Sequence, residues 1–416
     1  MMDSSARPQA PQERVPTRIG LAKLSKMSFD GIDLGPLWYD LLQRVAKDGL
    51  NTAAIMDMSV IAQLLGDQTS GLALQAGALD VQRLFRSPCS TSSPRLRVLA
   101  LAAPTDIGGN TPLEFLLEGA EMELHTLYVV PGKPLPQQLP RHDIAIVVAP
   151  DSESVSDTLS EIDQLIRTWP KPVLNLPQNI YQLDRDRLHV LLKSIPGVAI
   201  PTTTRLSRKR LGDIAHDDGL LRSCIGDDAF PLIVRPIDCH AGLGLAKLDR
   251  ASDIDAYLSQ QPEYDFFISP YVDYRGTDGL FRKYRIVFVD GRPYPCHMAI
   301  SDQWKIWYYN ADMAQCPARR AEEARFMASF DDDFARRHGA ALAETARRIN
   351  LEYFGIDCAE TKDGKLLIFE ADNVMIVHNM DPADIFPYKP AHMSKIFDSF
   401  TAMLHRRAHG AQACAA

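Results

Sequence analysis

The segment from Gly355 to Asp372 constrains this 416-residue chain most, because it predicts a β-hairpin that gathers three acids. At its centre stands Asp363-Gly364, a dipeptide typical of a type I′ turn, which needs positive φ at both central residues. If this pair forms a two-residue loop, Asp357 faces Glu370 on the opposite strand. Because side chains alternate along a strand, Asp372 returns to the same face as Glu370. The sequence therefore predicts three carboxylates on one patch.

Directly opposed side chains in a hairpin lie roughly 5 Å apart, and like charges in that position are destabilising. Asp357, Glu370 and Asp372 therefore need a compensating cation, and we interpret them as ligands of Mg²⁺ (or Mn²⁺). Mg²⁺ is commonly held by a few carboxylates together with substrate phosphates. The alternative is an ordinary surface hairpin whose acids are solvated.

Composition indicates an ordinary globular protein of two or three domains, with 46% hydrophobic and 24% charged residues. A net charge of -8 argues against a general nucleic-acid or anionic-membrane surface. No apolar run approaches the ~18 residues of a membrane span. The seven cysteines are scattered and never spaced as CxxC, which predicts neither structural zinc nor a disulfide framework. A reducing cytoplasm is the expected location.

The pattern along the chain predicts an α/β and α+β multidomain protein. Residues 1–18, rich in Pro, Arg, Gln and Ser, are expected to be disordered. Residues 19–95 comprise a helical N-terminal region, in which the helical pattern covers 37–86, and a linker rich in helix-breaking residues. We interpret this region as a structural cap or dimerisation element rather than as a recruitment module. Strands alternating with helices over residues 96–183 predict a parallel sheet. Residues 184–410 carry antiparallel strands.

A phosphate-binding pattern precedes the acidic hairpin. Arg235 ends an apolar strand, and Gly242 and Gly244 follow in the loop that returns into the next strand. Glycines let backbone N–H groups approach an anion closely, and the planar guanidinium can bind phosphate oxygens with two hydrogen bonds. By contrast, Gly108-Gly109-Asn110 lies at a strand-to-helix junction without the GxGxxG fingerprint and has little weight.

Together these motifs, in this order, resemble the ATP-grasp superfamily over about Arg97 to Ala391. The resemblance implies a Rossmann-like domain at 96–183, followed by a nucleotide clamp with a small lobe at 184–270 and a large lobe at 271–410. It implies ATP and Mg²⁺ as cofactors. Arg187, rather than Arg185, is expected to touch ATP phosphate just before a helix, and Arg235 stands where the family usually has a lysine.

The resemblance also implies roles for residues in three loops and one strand. The loop containing His240, Ala241, Gly242 and Gly244 would close over the phosphates, with His240 among the catalytic candidates. Backbone groups of Tyr271 and Val272 would recognise adenine, and Asp273 the ribose. Arg285 and Lys283 would stabilise the transferred phosphate. Asn373, His378 and Asn379 would contact substrate.

A second hairpin predicts the surroundings of Arg285. If Asp290-Gly291 is a two-residue loop, Arg285 faces Cys296, and His297 is turned to the other side. His297 is therefore interpreted as a packing residue rather than a base.

These observations favour an ATP-dependent ligase that joins a carboxylate to an amine through an acylphosphate, acting on small-molecule or peptide substrates. Two alternatives remain: a phosphotransferase of the same fold, and a non-catalytic nucleotide-binding scaffold recruited through the N-terminal helices. No nucleic-acid or membrane partner is expected, and a homodimer is one expectation because closed dimers are common.

Overall fold

The computed structural model describes residues 15–226, 230–239 and 242–413. Four helices form the N-terminal region: α1 Leu21–Phe29, α2 Gly35–Lys47, α3 Thr52–Leu64 and α4 Gln68–Val81. Asn51 and Asp67 cap α3 and α4 by accepting hydrogen bonds from backbone N–H groups of the first turn. Residues 1–14 lie outside the described part, but the expected disorder of residues 15–18 is wrong. Arg18 is buried and pairs with Glu114 at 3.1 Å.

The first sheet has the order β1-β3-β2-β4-β5, and the predicted parallel arrangement of β2 to β5 is confirmed. Its strands are β1 Leu84–Arg86, β2 Leu96–Ala102, β3 Met122–Tyr128, β4 Ile144–Val147 and β5 Val173–Leu174, with helices α5 Leu113–Leu116, α6 Ser156–Ile166 and α7 Pro177–Ile180. β1 falls inside the stretch predicted to be helical, and it pairs antiparallel with β3. Its apolar residues cover the sheet edge. Local periodicity could not predict this strand, because its pairing partner β3 is distant in the sequence.

The second sheet is small and antiparallel, with the order β7-β10-β8-β9. It contains β7 Thr204–Ser207, β8 Leu232–Pro236, β9 Ala246–Leu248 and β10 Asp265–Pro270, covered by α9 Arg208–Ile214, α10 Asp218–Ile225 and α11 Asp253–Gln260. These elements enclose a hydrophobic core of their own, separate from the cores under the other two sheets. The predicted β8–β9 hairpin is confirmed.

The third sheet carries the acidic hairpin and has the order β12-β11-β13-β14-β6. Its elements are α8 Arg185–Leu192, β6 Val198–Ala199, β11 Phe281–Val289, β12 Arg292–Ser301, α12 Pro317–Ala328, α13 Phe334–Arg337, α14 Gly339–Ile349, β13 Tyr353–Glu360, β14 Leu366–Asp372 and α15 Lys389–Ala413. β6 pairs in parallel with β14. The predicted small lobe, 184–270, therefore begins too early, because residues 198–199 belong to the third sheet.

Both Asp-Gly hairpins contain a β-bulge, and in each of them part of the register differs from the prediction. In the acidic hairpin the N–H of Thr361 donates to the carbonyl of Lys365 at 2.9 Å, so the loop has three residues, 362–364. A bulge at Asp357/Cys358 then restores the predicted pairing of Asp357 with Glu370. A three-residue loop with glycine in the left-handed region is a common hairpin form, and Gly364 has φ +78°. The Asp290-Gly291 turn forms as expected, but a bulge at Arg285/Ile286 shifts the pairs beyond it.

Among the helices of the described residues, none is both long and apolar enough to cross a membrane.

Candidate active site

A cleft of about 470 Å³ opens between the second and third sheets. Arg235 reaches it from β8, Lys283 and Arg285 from β11, Asp357 from β13, and Glu370 from β14. Arg185, at the start of α8, also lines it. Its remaining lining residues are Asp106, Gly108, Pro201, Thr203, Ile233, Gly242, Leu245, Phe267, Ser269, Pro270, Tyr271, Val272, Tyr274, Trp304, Lys305, Ile306, Trp307, Asn310, Phe369, Asp372, Val374, Met375 and Ile376.

Four polar residues form one row across the third sheet. Glu370 pairs with Asp357, Asp357 with Arg285, and Arg285 with His297. The last pairing corrects the prediction that Cys296 faces Arg285, because the bulge makes Cys296 the extra residue of β12. His297 therefore lies beside Arg285. Burial and the charge of Arg285 lower the pKa of His297 well below its usual value, which keeps the ring neutral near pH 7.

Asp357 is the most deeply buried acid of the row, at 1% exposure. Arg285 binds it through two hydrogen bonds of 2.8 and 3.1 Å, and Lys283 lies 2.7 Å away. Burial alone would raise the pKa of Asp357, but Arg285 and Lys283 together hold it well below its usual range. A buried carboxylate with two cations is a fixed, ionised element of the sheet.

Glu370 is the second acid of the row, and it faces two arginines. Arg185 forms a salt bridge with its Oε2 atom and donates to the carbonyl of Phe369 at 2.9 Å. Arg235 lies 4.0 Å from the same carboxylate. Burial and repulsion by Arg185 lower the pKa of Arg235 to about 10. Two guanidinium groups that share one carboxylate leave hydrogen-bonding capacity for a further anion in the cleft.

The basic residue of α8 that lines the cleft is Arg185 and not Arg187, which corrects the sequence prediction. Arg187 points to the other side of the helix, where it pairs with Asp151 at 2.7 Å and with Asp184 at 3.5 Å. Two residues along a helix turn the side chain by about 200°, so the arginines of Arg-Asp-Arg cannot share one face. Sequence alone could not decide which of them meets the cleft.

The predicted adenine-binding residues Tyr271 and Val272 both line the cleft beside Ile233 and Phe267. The N–H of Tyr271 already donates to the carbonyl of Pro231 at 2.8 Å, so its own carbonyl is the remaining backbone group. Asp273 does not line the cleft as expected of a ribose ligand. Its carboxylate is bound by Arg275 at 3.0 Å and by Lys362 at 2.8 Å.

Of the predicted phosphate loop, Gly242 lines the cleft, while His240 and Ala241 lie outside the described residues. Gly242 and Gly244 have φ values of +73° and +64°, in the left-handed region that favours glycine. A Cβ atom at Gly244 would stand 2.6 Å from the ring of Pro236, so this position needs glycine for space as well. Lys305 reaches the loop from the opposite wall and donates to the carbonyl of Leu245 at 3.1 Å.

The three predicted metal ligands do not form a shared coordination site by themselves. Within the part of the chain that the structure describes, no group of three His, Cys, Asp or Glu side chains is placed to hold a metal ion. All three predicted ligands line the cleft, but Asp357 accepts hydrogen bonds from Arg285 and pairs with Lys283, which leaves Glu370 and Asp372 as the candidate ligands. Two carboxylates beside an anion-binding cleft fit Mg²⁺, which completes its coordination with phosphates and water. The metal assignment stays a prediction.

The predicted substrate residues have different environments. Asn373 is fully buried and donates to the carbonyl of Ala149 at 2.9 Å, so it joins the third sheet to the first instead of facing the cleft. His378 lies between the rings of Phe29 and Phe115, with centroids 6.4 and 6.1 Å away. Asn379 follows it in the same loop, and its role stays a prediction.

The loop after β12 forms one wall of the cleft, which Trp304, Lys305, Ile306, Trp307 and Asn310 line. The family that the sequence resembles often has a substrate loop at the position of residues 301–313, although the aromatic run there is more typical of structural packing. Behind this loop Tyr308 donates to buried Glu323 at 3.1 Å, and Lys389 pairs with Asp381 at 2.7 Å.

A scan against family models and a search of curated proteins find no match. Among solved structures, the chain is similar to the VanG D-Ala:D-Ser ligase from Enterococcus faecalis, with 10% identity, 74% of this chain and 100% of that chain covered, and a TM-score of 0.46. It is also similar to the D-alanine–D-alanine ligase from Bacillus anthracis complexed with ATP, with 14% identity, coverage of 76% and 99%, and a TM-score of 0.43.

A third similar structure is the RimK domain protein ATP-grasp from Sphaerobacter thermophilus, with 16% identity, coverage of 74% and 99%, and a TM-score of 0.41. These identities and TM-scores are too low to support a function, which has to be inferred from the site itself.

Proposed function

We propose that this protein is an ATP- and Mg²⁺-dependent ligase of the ATP-grasp type that joins a carboxylate to an amine. One observation carries the proposal: strands of the second and third sheets, together with the start of α8, bring Arg235, Arg185, Lys283 and Arg285 into the same cleft as Glu370. Such a concentration of cations suits a polyphosphate. In the free protein Glu370 pairs with Arg185 and lies 4.0 Å from Arg235, and phosphate groups would replace this carboxylate as the partner of both cations.

The shape of the cleft supports a nucleotide rather than a free phosphate. Beside the cations, its lining contains the apolar or aromatic side chains of Ile233, Phe267, Val272 and Phe369. A flat base fits between such side chains, and the backbone of Tyr271 and Val272 supplies polar groups at its edge. The glycines at 242 and 244 allow the loop from β8 to β9 to approach the phosphates.

In the proposed reaction a substrate carboxylate oxygen attacks the γ-phosphorus of ATP. The bond from the γ-phosphorus to the β,γ-bridging oxygen breaks, which gives ADP and an acylphosphate. An amine then attacks the acyl carbon, phosphate leaves, and the amine loses a proton as the amide forms. Arg285 and Lys283 would stabilise the negative charge on the transferred group, and Arg235 and Arg185 would hold the other phosphates.

Glu370 and Asp372 are the residues that would hold Mg²⁺, which would neutralise phosphate charge when bound. Asp357 has a different role in this proposal: its pairs with Arg285 and Lys283 fix the positions of both cations. No side chain has to form a covalent intermediate, so positioning and electrostatics would supply the rate enhancement.

The proposal is tested by calorimetry with ATP and Mg²⁺, followed by a search for activity. Purified protein should bind ATP, and a mixture of carboxylates and amines should release ADP and phosphate in equal amounts with an amide product detected by mass spectrometry. Absence of ATP binding would contradict the proposal. A stable phosphorylated product formed without an amine would indicate a phosphotransferase instead.

Arg235 and Arg205 provide a matched pair of variants. Both pair with Phe267, from strands on opposite sides of β10, but only Arg235 lines the cleft. Arg235→Gln should weaken ATP binding roughly tenfold to a hundredfold, the value of a charge-assisted hydrogen bond. Arg205→Gln should leave ATP affinity unchanged, because Arg205 pairs with Glu153 and Asp184 outside the cleft.

A further inference from the structure

The N-terminal helices reach the wall of the active-site cleft through one loop. Three glutamines of α3 and α4 bind consecutive residues of the loop after β2. The side chain of Gln75 donates to the carbonyl of Thr105 at 2.8 Å, Gln68 donates to the carboxylate of Asp106 at 3.0 Å, and Gln63 accepts from the N–H of Ile107 at 3.0 Å. We call these three side chains the glutamine clamp.

The clamp holds a carboxylate at the cleft. Asp106 and Gly108 both line the cavity that contains Arg285 and Glu370. Besides Gln68, the carboxylate of Asp106 accepts from the N–H of Gly108 at 3.2 Å. Both partners are neutral, and among the described residues no Lys, Arg or His lies within ion-pair distance of Asp106. Asp357 and Glu370, in contrast, have cationic partners.

The surroundings of Asp106 define what could meet it. Val374, Met375 and Ile376 line the same cleft and present apolar side chains. The backbone of their loop is tied to the loop after β2, since Thr111 donates to the carbonyl of Asn373 at 2.9 Å. A fixed anion beside an apolar wall suits a ligand with an ammonium group and an apolar part.

We propose that the glutamine clamp makes the N-terminal helices part of the substrate site, and that Asp106 binds the ammonium group of an amino-acid substrate. The inference rests on the proposed function and deepens it by naming the substrate class. The helices act through position: the loop has hydrogen bonds of its own, such as that from the N–H of Gly109 to the carbonyl of Asp106, and the clamp adds three that tie it to α3 and α4. Asp106 is a specificity-determining residue, and the three glutamines are positioning residues.

The test uses the full chain with ATP, Mg²⁺ and a mixture of the standard amino acids. With hydroxylamine supplied in both assays as the attacking amine, ADP release should rise with this mixture and not with the same amino acids N-acetylated, because acetylation removes the positive charge and leaves the carboxylate. Equal stimulation by both mixtures, or stimulation by neither, overturns the inference.

Asp106→Asn should raise the KM for the amino-acid mixture roughly tenfold to a hundredfold, as expected for loss of a charge-assisted hydrogen bond. The matched control is Asp33→Asn. Asp33 also accepts from the N–H two residues ahead, that of Gly35 at 2.9 Å, but it is exposed and away from the cleft. An unchanged KM in Asp106→Asn refutes the assignment.

Gln68→Ala tests the clamp without removing a charge. It should raise the KM for the amino-acid mixture by several-fold, with kcat and the Kd for ATP unchanged. A residue that only supports the fold would lower the thermal midpoint without this selective effect on KM, and that result contradicts the positioning role. ATP binding by calorimetry separates the two levels: loss of ATP binding in the unaltered protein contradicts the proposed function, whereas intact ATP binding with no selectivity for ammonium contradicts only this inference.

Discussion

Replacement of Glu370 by glutamine should change two measured quantities in opposite directions. In the free protein Glu370 pairs with Arg185 and lies 4.0 Å from Arg235, so it competes with phosphate for both cations. In the ligand-bound protein it is proposed to hold Mg²⁺. Glutamine keeps the size of the side chain and removes its charge. Metal-free ATP should therefore bind more tightly, while Mg²⁺-dependent turnover should fall.

The size of the first effect follows from the ion-pair distance. Two unit charges 4 Å apart attract each other by about 4 kcal/mol at the effective dielectric of a protein surface. The side chain of Glu370 is 29% exposed, so solvent screens a large part of this energy. After this screening about 1.4 kcal/mol remains. In the presence of a chelator, the Kd of Glu370→Gln for ATP should therefore be about tenfold lower than that of the unaltered protein. Turnover should fall about a hundredfold or more, as for other losses of transition-state charge stabilisation.

Calorimetry with ATP and a chelator gives the first quantity, and ADP release at saturating Mg²⁺ gives the second. Glu322→Gln is the control, because Glu322 also pairs with an arginine of β11, Arg282, and its side chain is 31% exposed outside the cleft. The control should leave both quantities unchanged. Turnover retained within about twofold, together with unchanged ATP affinity, would refute the role of Glu370 in both states.

Three further predictions concern stability. Gly244→Ala should destabilise the protein more than Gly242→Ala in urea unfolding, because both positions have positive φ but only Gly244 has a proline ring 2.6 Å from the added Cβ; equal effects would contradict this reason. Lys389→Met should lower the unfolding free energy by about 3–5 kcal/mol, since buried Glu323 and Asp381 lose their cation, whereas Lys395→Met on the exposed face of α15 should have little effect. Arg337 and His338 lower the pKa of Glu360 to about 2 against burial, so its contribution is complete above its unfolded value of 4.5 and is lost as pH falls toward 2. Between pH 7 and pH 3 the unfolding free energy measured with urea should fall less in Glu360→Gln than in the unaltered protein, by about 2 kcal/mol.

Local patterns were sufficient for much of the fold. The apolar run of β2 and the alternation with helices predicted a parallel sheet, and the Asp-Gly turns predicted both hairpins of the third sheet. The pairing of Asp357 with Glu370 was also predicted, although the turn it was based on has three residues instead of two. The bulge compensates for this difference. Strands and tight turns depend on residues that are close together in the chain, so the sequence alone is sufficient to predict them.

Tertiary structure decided the environment of each charged side chain. The sequence favoured Arg187 over Arg185, but the choice depends on the rotation of α8 against the third sheet. The sequence also predicted, wrongly, that His297 is turned away from Arg285. A one-residue bulge has no local signature, and it reverses the side on which every later residue of the strand lies. No sequence motif pointed to Asp106 as a residue of the cleft.

The sequence by itself determined the chemistry available to this protein: acids on a hairpin, arginines on strands and glycines in a loop. Which of these groups meet in one cleft was decided by long-range packing, because a side chain's partner is set by the angle and register of whole elements. The glutamine clamp is the clearest example. Its donors and acceptors lie 30 to 44 residues apart, and no spacing rule connects them.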